Sequence, residues 1–269
     1  MNLGVGTSDG VIVEAAEGVL RVTIDRPDRK GSLDAPAARR IVDTLEAAST
    51  DDTLRVVVLS STGDDFCSGS DWVAANASGE KPRTGSVQRR IPLQAHRIIA
   101  LLFEIQLPVV AAVQGWAAGL GCQIALASDF TVAAEDSRFW LPFVKRGFTP
   151  DSGATWMVPR LVGVARAKEL LLLGRPISGA DAASWGMIHR SVPAAELTGA
   201  VDSLVDELRD GATVALGLTK NCINGALDGS LTEAMEREAM AIELSSRSAD
   251  FREGLSAFRE RRDAAFEGR

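Results

Sequence analysis

Hydrophobic and polar positions change period several times along the chain. Apolar side chains alternate in two short runs, VIVE and GVLRVTI, between residues 11 and 24, which predicts two strands turning at Glu17-Gly18. Residues 35–49 carry Ile41, Val42 and Leu45 at helical spacing, and RVVVLSS (55–61) is a β-branched run suited to burial on both faces of a sheet. A polar stretch with Gly, Ser and Pro at 74–88 reads as a loop. Helix is expected from about 88 to 105, then a strand at VVAAV (109–113), a Gly-rich turn, a helix near 120–128 and a strand at FTVAA (130–134). Such alternation is the mark of α/β architecture. From about residue 195 the period is helical throughout, over 195–210, 213–227, 230–246 and 250–262. The expected organisation is an α/β core over 1–195 and a helical C-terminal region over 196–269.

Composition narrows the class of partner. The chain has 269 residues, 46% hydrophobic and 24% charged, enough to bury a substantial core. A formal charge of -7 argues against nucleic acid or an anionic membrane surface, both of which reward a basic face. No apolar run reaches the roughly 18 residues of a membrane span. Cys67, Cys122 and Cys222 lie far apart, form no metal-binding pattern with His96 and His189, and suggest reduced thiols in a cytoplasmic protein. The start, MNLGVGTSDG, lacks the basic-then-apolar pattern of a secretion signal.

Two segments stand out chemically. The strand at 55–61 runs into TGDDFCSGSD (62–71), and the strand at 109–113 runs into QGWAAGLGCQ (114–123). Small residues after a buried strand let a backbone approach a ligand closely. The second segment opens directly into a helix, whose first amides are unpaired and electropositive. One amide from each turn can converge on a single oxygen and stabilise negative charge developing there. Taken singly, either segment is equally well a tight strand–helix turn.

Together, FCSGSDW and GWAAGLGCQIALASDF resemble the paired signatures of the enoyl-CoA hydratase/isomerase (crotonase) superfamily. DRPDRKGSLD (25–34), PRLVGVARAKELLLLGRPISGADAASWGMIHRSV (159–192) and SADFREGLSAFRERR (248–262) extend the resemblance over nearly the whole chain. It implies a spiral of ββα units with a C-terminal helical subdomain. It also implies an acyl-CoA thioester as substrate, with coenzyme A as part of the substrate and no tightly bound cofactor or metal. The backbone N–H groups of Ser70 and Leu120 become the oxyanion hole, with Gly69 and Gly119 shaping it. Arg29 and Lys30 fall near the nucleotide phosphates, and Ser68 and Asp71 near the adenine and pantetheine. The family's trimeric habit implies a homotrimer or a dimer of trimers, with 196–269 as an oligomerisation or lid region and the stripe Phe251, Leu255, Phe258 covering a neighbouring subunit's pocket.

The chain departs from the family's hydratases at both water-activating glutamates, which fall at Gln123 and Phe143. Glutamine cannot shuttle a proton near neutral pH, and phenylalanine can neither titrate nor bind water. Ordinary hydration is therefore not expected. TPDSGATWMVPRLVG (149–163) resembles instead the branch of double-bond isomerases with a single catalytic aspartate, here Asp151. Read locally, Asp151 is equally a helix N-cap for a segment from about 152 to 162. His96 and Asp151 together resemble the histidine–aspartate arrangement of the 4-chlorobenzoyl-CoA dehalogenase branch. Three functions thus stay open: enoyl-CoA isomerisation with Asp151 as the base, nucleophilic acyl-CoA chemistry with Asp151 and His96, and acyl-CoA binding by a degraded site.

Overall fold

The computed structural model describes residues 3–71 and 83–269. The chain forms strands β1 (Gly6–Ser8), β2 (Val11–Ala16), β3 (Val19–Ile24), β4 (Val56–Ser61), β5 (Val109–Val113), β6 (Trp116–Ala118), β7 (Phe130–Ala134), β8 (Arg138–Trp140), β9 (Ile177–Ser178) and β10 (Arg190–Val192). Seven of them make one sheet in the order β1-β2-β3-β4-β5-β7-β10, and β6, β8 and β9 make a second. In the large sheet the first two pairings are antiparallel and the remaining four are parallel. Each parallel crossover from β3 to β7 carries a helix over the same face, giving a spiral α/β architecture.

Strand β4 is buried on both faces, as its unbroken apolar run requires. Val57 and Leu59 enter the larger core with Leu45, Ile98, Leu102 and Ile124, contributed by helices Ala35–Ala48, Ala95–Glu104 and Leu120–Ala127. Val56 and Val58 face the other way, onto Leu197, Val201, Leu204, Val205 and Leu208 of helix Leu197–Arg209. The first of the C-terminal helices therefore completes the core sheet. Asp34 starts helix Ala35–Ala48 by accepting the Ala37 N–H at 3.0 Å. Glu17 and Gly18, both left-handed at φ 51° and 79°, make the expected hairpin turn between β2 and β3.

Helix Thr213–Ala226 is clasped to the core by polar contacts. Lys220 Nζ donates to Asp129 Oδ2 at 2.7 Å and to the Leu107 carbonyl at 3.1 Å, and Asn224 donates to the Phe103 carbonyl at 3.1 Å. Asp129 also accepts the Val109 N–H at 2.8 Å, so one carboxylate ties the helix to the start of β5. Helix Leu231–Ser245 buries no residue, and its Ser230–Glu233 capping box replaces packing as the signal for its start. Among the described residues no helix is long and apolar enough to cross a membrane.

Several expectations change. The helix expected over 88–105 is broken: Ser86–Arg90 gives way to a 3-10 turn at Ile91–Leu93, where Pro92 removes a donor, and helix resumes at Ala95. The segment expected to begin near 152 runs as helix Ala154–Leu173, interrupted where Gly163 takes φ 74°, ψ 164°. Residues 72–82, which include most of the expected loop at 74–88, lie outside the described residues. The stripe Phe251, Leu255, Phe258 is 41%, 43% and 83% exposed in the single chain, so the other described residues cover it only in part.

Candidate active site

The two glycine turns are brought together by backbone pairing. Phe66 and Cys67 run alongside the second turn: the Phe66 N–H donates to the Gln114 carbonyl and the Cys67 N–H to the Trp116 carbonyl, both at 2.9 Å, and the Ala118 N–H returns to Cys67 at 2.8 Å. Close approach is possible because Gly121 carries no Cβ; one there would collide with the Cys67 carbonyl oxygen. Cys67 and Cys122 fill the space between, fully buried, and burial pushes both thiols up to about 12, so neither is a nucleophile.

Beyond Cys67 the chain changes partner. Gly69, left-handed at φ 97°, turns it toward Leu33, whose N–H donates to the Gly69 carbonyl while its own carbonyl accepts the Asp71 N–H, each at 2.8 Å. A parallel bridge of this form uses the groups of residues 69 and 71 and directs those of Ser70 to the opposite edge. That edge faces the second turn, where Gly69 stands close against Ala118 and Leu120. Gly119 is held by its N–H to the Trp140 carbonyl at 2.8 Å and is the N-cap of helix Leu120–Ala127, leaving the Leu120 amide in the unpaired first turn. Among the described residues, neither the Ser70 nor the Leu120 N–H has an acceptor.

Both residues line one narrow cavity of about 30 Å³, together with Ser68, Gly69, Gly119, Pro142, Phe143, Arg146, Phe148 and Asp151. The structure thus gathers seven of the twelve residues singled out in the sequence. Leu120 is 5% exposed and narrows the wall beside the two amides. Phe143 packs edge-on against Phe148, with ring centroids 5.7 Å apart, so an apolar wall stands at one of the two glutamate positions. Asp151 is the one carboxylate in the lining. It does not cap the following helix. Ser152, at φ 44°, and Gly153, at φ 81°, are both left-handed, and Gly153 occupies the N-cap position with no side-chain cap. The local N-cap reading of Asp151 is therefore corrected, because the two left-handed residues carry its carboxylate past the helix start. That carboxylate has no hydrogen-bond donor among the described residues.

The other candidates lie around the cavity rather than in its described lining. Gln123 is fully buried behind the wall, and its amide nitrogen donates to the Asp151 carbonyl. Arg29 pairs with Asp71 at 3.3 Å, and Lys30 is exposed, with its carbonyl accepting the Ser68 N–H at 3.0 Å. Arg29, Lys30, Ser68 and Asp71 thus form one polar rim beside the first turn. His96 lies on helix Ala95–Glu104, half-buried, with a buried Nε2 that has no partner, and is not brought into the lining. His189 is exposed, its ring edge-on to Phe130 at 5.2 Å. Pro142, Arg146 and Phe148 were not singled out from sequence; Arg146, its guanidinium 5.7 Å from the Trp140 ring, adds an exposed cation to the mouth.

Similarity to known proteins agrees with this geometry. Over 262 residues the chain is 36% identical to 1,2-epoxyphenylacetyl-CoA isomerase of Escherichia coli (strain K12), covering 96% of this chain and 98% of that protein. It is 30% identical over 260 residues to crotonyl-CoA hydratase of Syntrophomonas wolfei, covering 96% and 98%. The crystal structure of enoyl-CoA hydratase from Bacillus anthracis superposes with a TM-score of 0.90 at 28% identity, covering 97% of this chain and all of that one. The family profile described as enoyl-CoA hydratase/isomerase matches residues 14–269, and the chain belongs to that family.

Proposed function

We propose that the protein isomerises an enoyl-CoA or related acyl-CoA thioester by moving a proton with one base. The observation that carries this reading is the company Asp151 keeps: a single carboxylate in the same cavity as two unpaired backbone amides, with phenylalanine at one glutamate position and glutamine at the other. The thioester carbonyl oxygen would accept from the Ser70 and Leu120 N–H groups. Asp151 would take a proton from the carbon chain, forming an enolate or dienolate whose charge those amides stabilise, and return it at another carbon. Hydration needs a held and activated water, and neither Phe143 nor Gln123 can activate one. The likeness to an isomerase of E. coli supports this reading, whereas the likeness to a hydratase supports only the shared thioester chemistry. Arg29 and Lys30 on the outer rim would meet the coenzyme A phosphates.

Asp151→Asn tests the assignment. Isomerisation and proton exchange at the thioester's α and γ carbons should fall about 10²–10⁴-fold, the usual cost of losing an acid–base group. Hydration of crotonyl-CoA by the unmodified protein should be slower than in a family hydratase by about the same factor. Undiminished exchange in Asp151→Asn would remove Asp151 from the mechanism. The exposed Phe251–Leu255–Phe258 stripe supports self-association of the C-terminal helices, which sedimentation would detect; a monomer at micromolar concentration would argue against it.

A further inference from the structure

We infer that Gln123 is a positioning residue for Asp151, holding the turn that presents the base rather than contacting the substrate. The inference rests on the reading of Asp151 as that base. Gln123 is 0% exposed and donates its amide hydrogen to the Asp151 main-chain carbonyl, which also accepts the Ala154 N–H at 3.0 Å. A carbonyl only accepts, so the amide nitrogen must face it. This orientation leaves Gln123 Oε1 buried without a donor among the described residues. An orphaned buried acceptor is destabilising, and an apolar side chain of the same shape would avoid that cost.

The adjoining turn is also held at a cost. Ser152 adopts a left-handed φ of 44° that an L-residue enters unfavourably, is 4% exposed, and its Oγ too lacks a partner. Unfavourable backbone and polar groups persist where the surroundings fix them, and they cluster at functional sites. Here the fixing group is Gln123. It sits one turn into helix Leu120–Ala127, the same helix whose first residue carries the Leu120 amide. One rigid helix therefore sets both the oxyanion donor and, through Gln123, the carboxylate, and registers the two against each other. Asp151 itself lies on an irregular segment, between the 3-10 turn Val144–Arg146 and helix Ala154–Leu173, with no such rigidity of its own.

Gln123→Met keeps the side chain's length and removes the donor. A loosened base is lost in the transition state and not in substrate binding, so kcat should fall about 10–100-fold, as misplacement of a reacting group by about 1 Å does, with KM little changed. Added to Asp151→Asn, the same change should lower the residual rate little further, because Gln123 acts through Asp151. Gln123→Glu supplies a second readout. A protonated carboxyl can donate to the Asp151 carbonyl and an ionised one cannot, so the variant's kcat should fall as pH rises through that carboxyl's pKa, which burial raises. The ionisable side chains lining the cavity, Asp151 and Arg146, are common to variant and parent, so the extra falling limb belongs to the introduced carboxyl. A wild-type kcat in folded Gln123→Met, or the same fold-loss in the Asp151→Asn background, overturns the inference while leaving Asp151 as the base. A pH-independent kcat ratio between Gln123→Glu and the parent overturns it likewise, and serves if the methionine variant does not fold. Undiminished exchange in Asp151→Asn alone removes both readings together.

Discussion

Gly69→Ala is a direct probe of the paired turns, because the structure sets both what the methyl group would strike and what a control must lack. At Gly69 φ is 97°, and a Cβ would stand 2.8 Å from the Ala118 carbonyl oxygen and 3.3 Å from the Leu120 nitrogen. Both atoms belong to backbone pinned by β6, β8 and the helix start, so relief means pushing the first turn away from the second by a few tenths of an ångström. An L-residue in such a conformation costs about 1–3 kcal/mol. In a chain of this size that lowers Tm by roughly 2–12 °C, at about 2–4 °C per kcal/mol. Catalysis should suffer more. An oxyanion donor works only within hydrogen-bond distance of the developing charge, and losing one costs about 10²–10³ in kcat. The control is Gly186→Ala. Gly186 is also left-handed, at φ 71°, but has nothing within 4 Å of a built Cβ. It should carry the backbone cost alone, a Tm loss no larger than that of Gly69→Ala, with an unchanged kcat. If Gly69→Ala remains folded and keeps a kcat within a few-fold of the parent, the two turns do not act as a pair on one oxygen.

Two further outcomes follow from buried groups. Lys220→Met should destabilise by about 2–3 kcal/mol, less than the 3–5 kcal/mol of a sealed pair, because the Asp129 side chain keeps 20% exposure. Burial already holds the Asp129 carboxyl above its usual range against the pull of Lys220, and removing that cation raises it further. A group whose folded pKa is raised loses its unfavourable charge in acid, so the variant's deficit, read by denaturant unfolding, should shrink as pH falls; a deficit that grows in acid would contradict this. A thiol reagent at pH 8, followed by mass spectrometry, should label Cys222 alone in the native protein and all three cysteines once unfolded. Native labelling of Cys67 or Cys122 would mean the turns open readily.

Much of the fold was legible because its strongest signals are repeated patterns. β4 and β5 are apolar runs with no polar alternation, and the four C-terminal helices keep their period within one or two residues of the expected ends. Strands β6, β8 and β9 were not legible: two or three residues carry no period, and only pairing with distant segments makes them strands. The same distinction runs through the site. The glycine turns could be read as close backbone approaches, and the family resemblance pointed to Ser70 and Leu120 within them. Whether Asp151 capped a helix or entered the cavity depended on Ser152 and Gly153 both taking left-handed geometry, and serine gives no warning of that. Arg146 and Phe148 were missed because each reads as surface on its own. Their spacing from Phe143 across the 3-10 turn at Val144–Arg146 was the available signal.

The bridge between Leu33 and Ser70 has a consequence for how such a site can diversify. Direction of the Ser70 N–H is set by strand register, so the side chain at 70 is irrelevant to the donor, and any residue except proline preserves it. The same holds at position 120. On the proposed reading, the grip on a thioester would be written in main chain by residues 33, 67, 69, 119 and 121, whereas the reacting groups would hang from a separate segment, 142–151, as side chains. Anchor and tool are carried by different segments, joined through Gln123 on helix Leu120–Ala127. On that reading, substitutions at 143, 146, 148 or 151 would exchange one reaction of an enolate for another while the backbone donors that hold it stay in place.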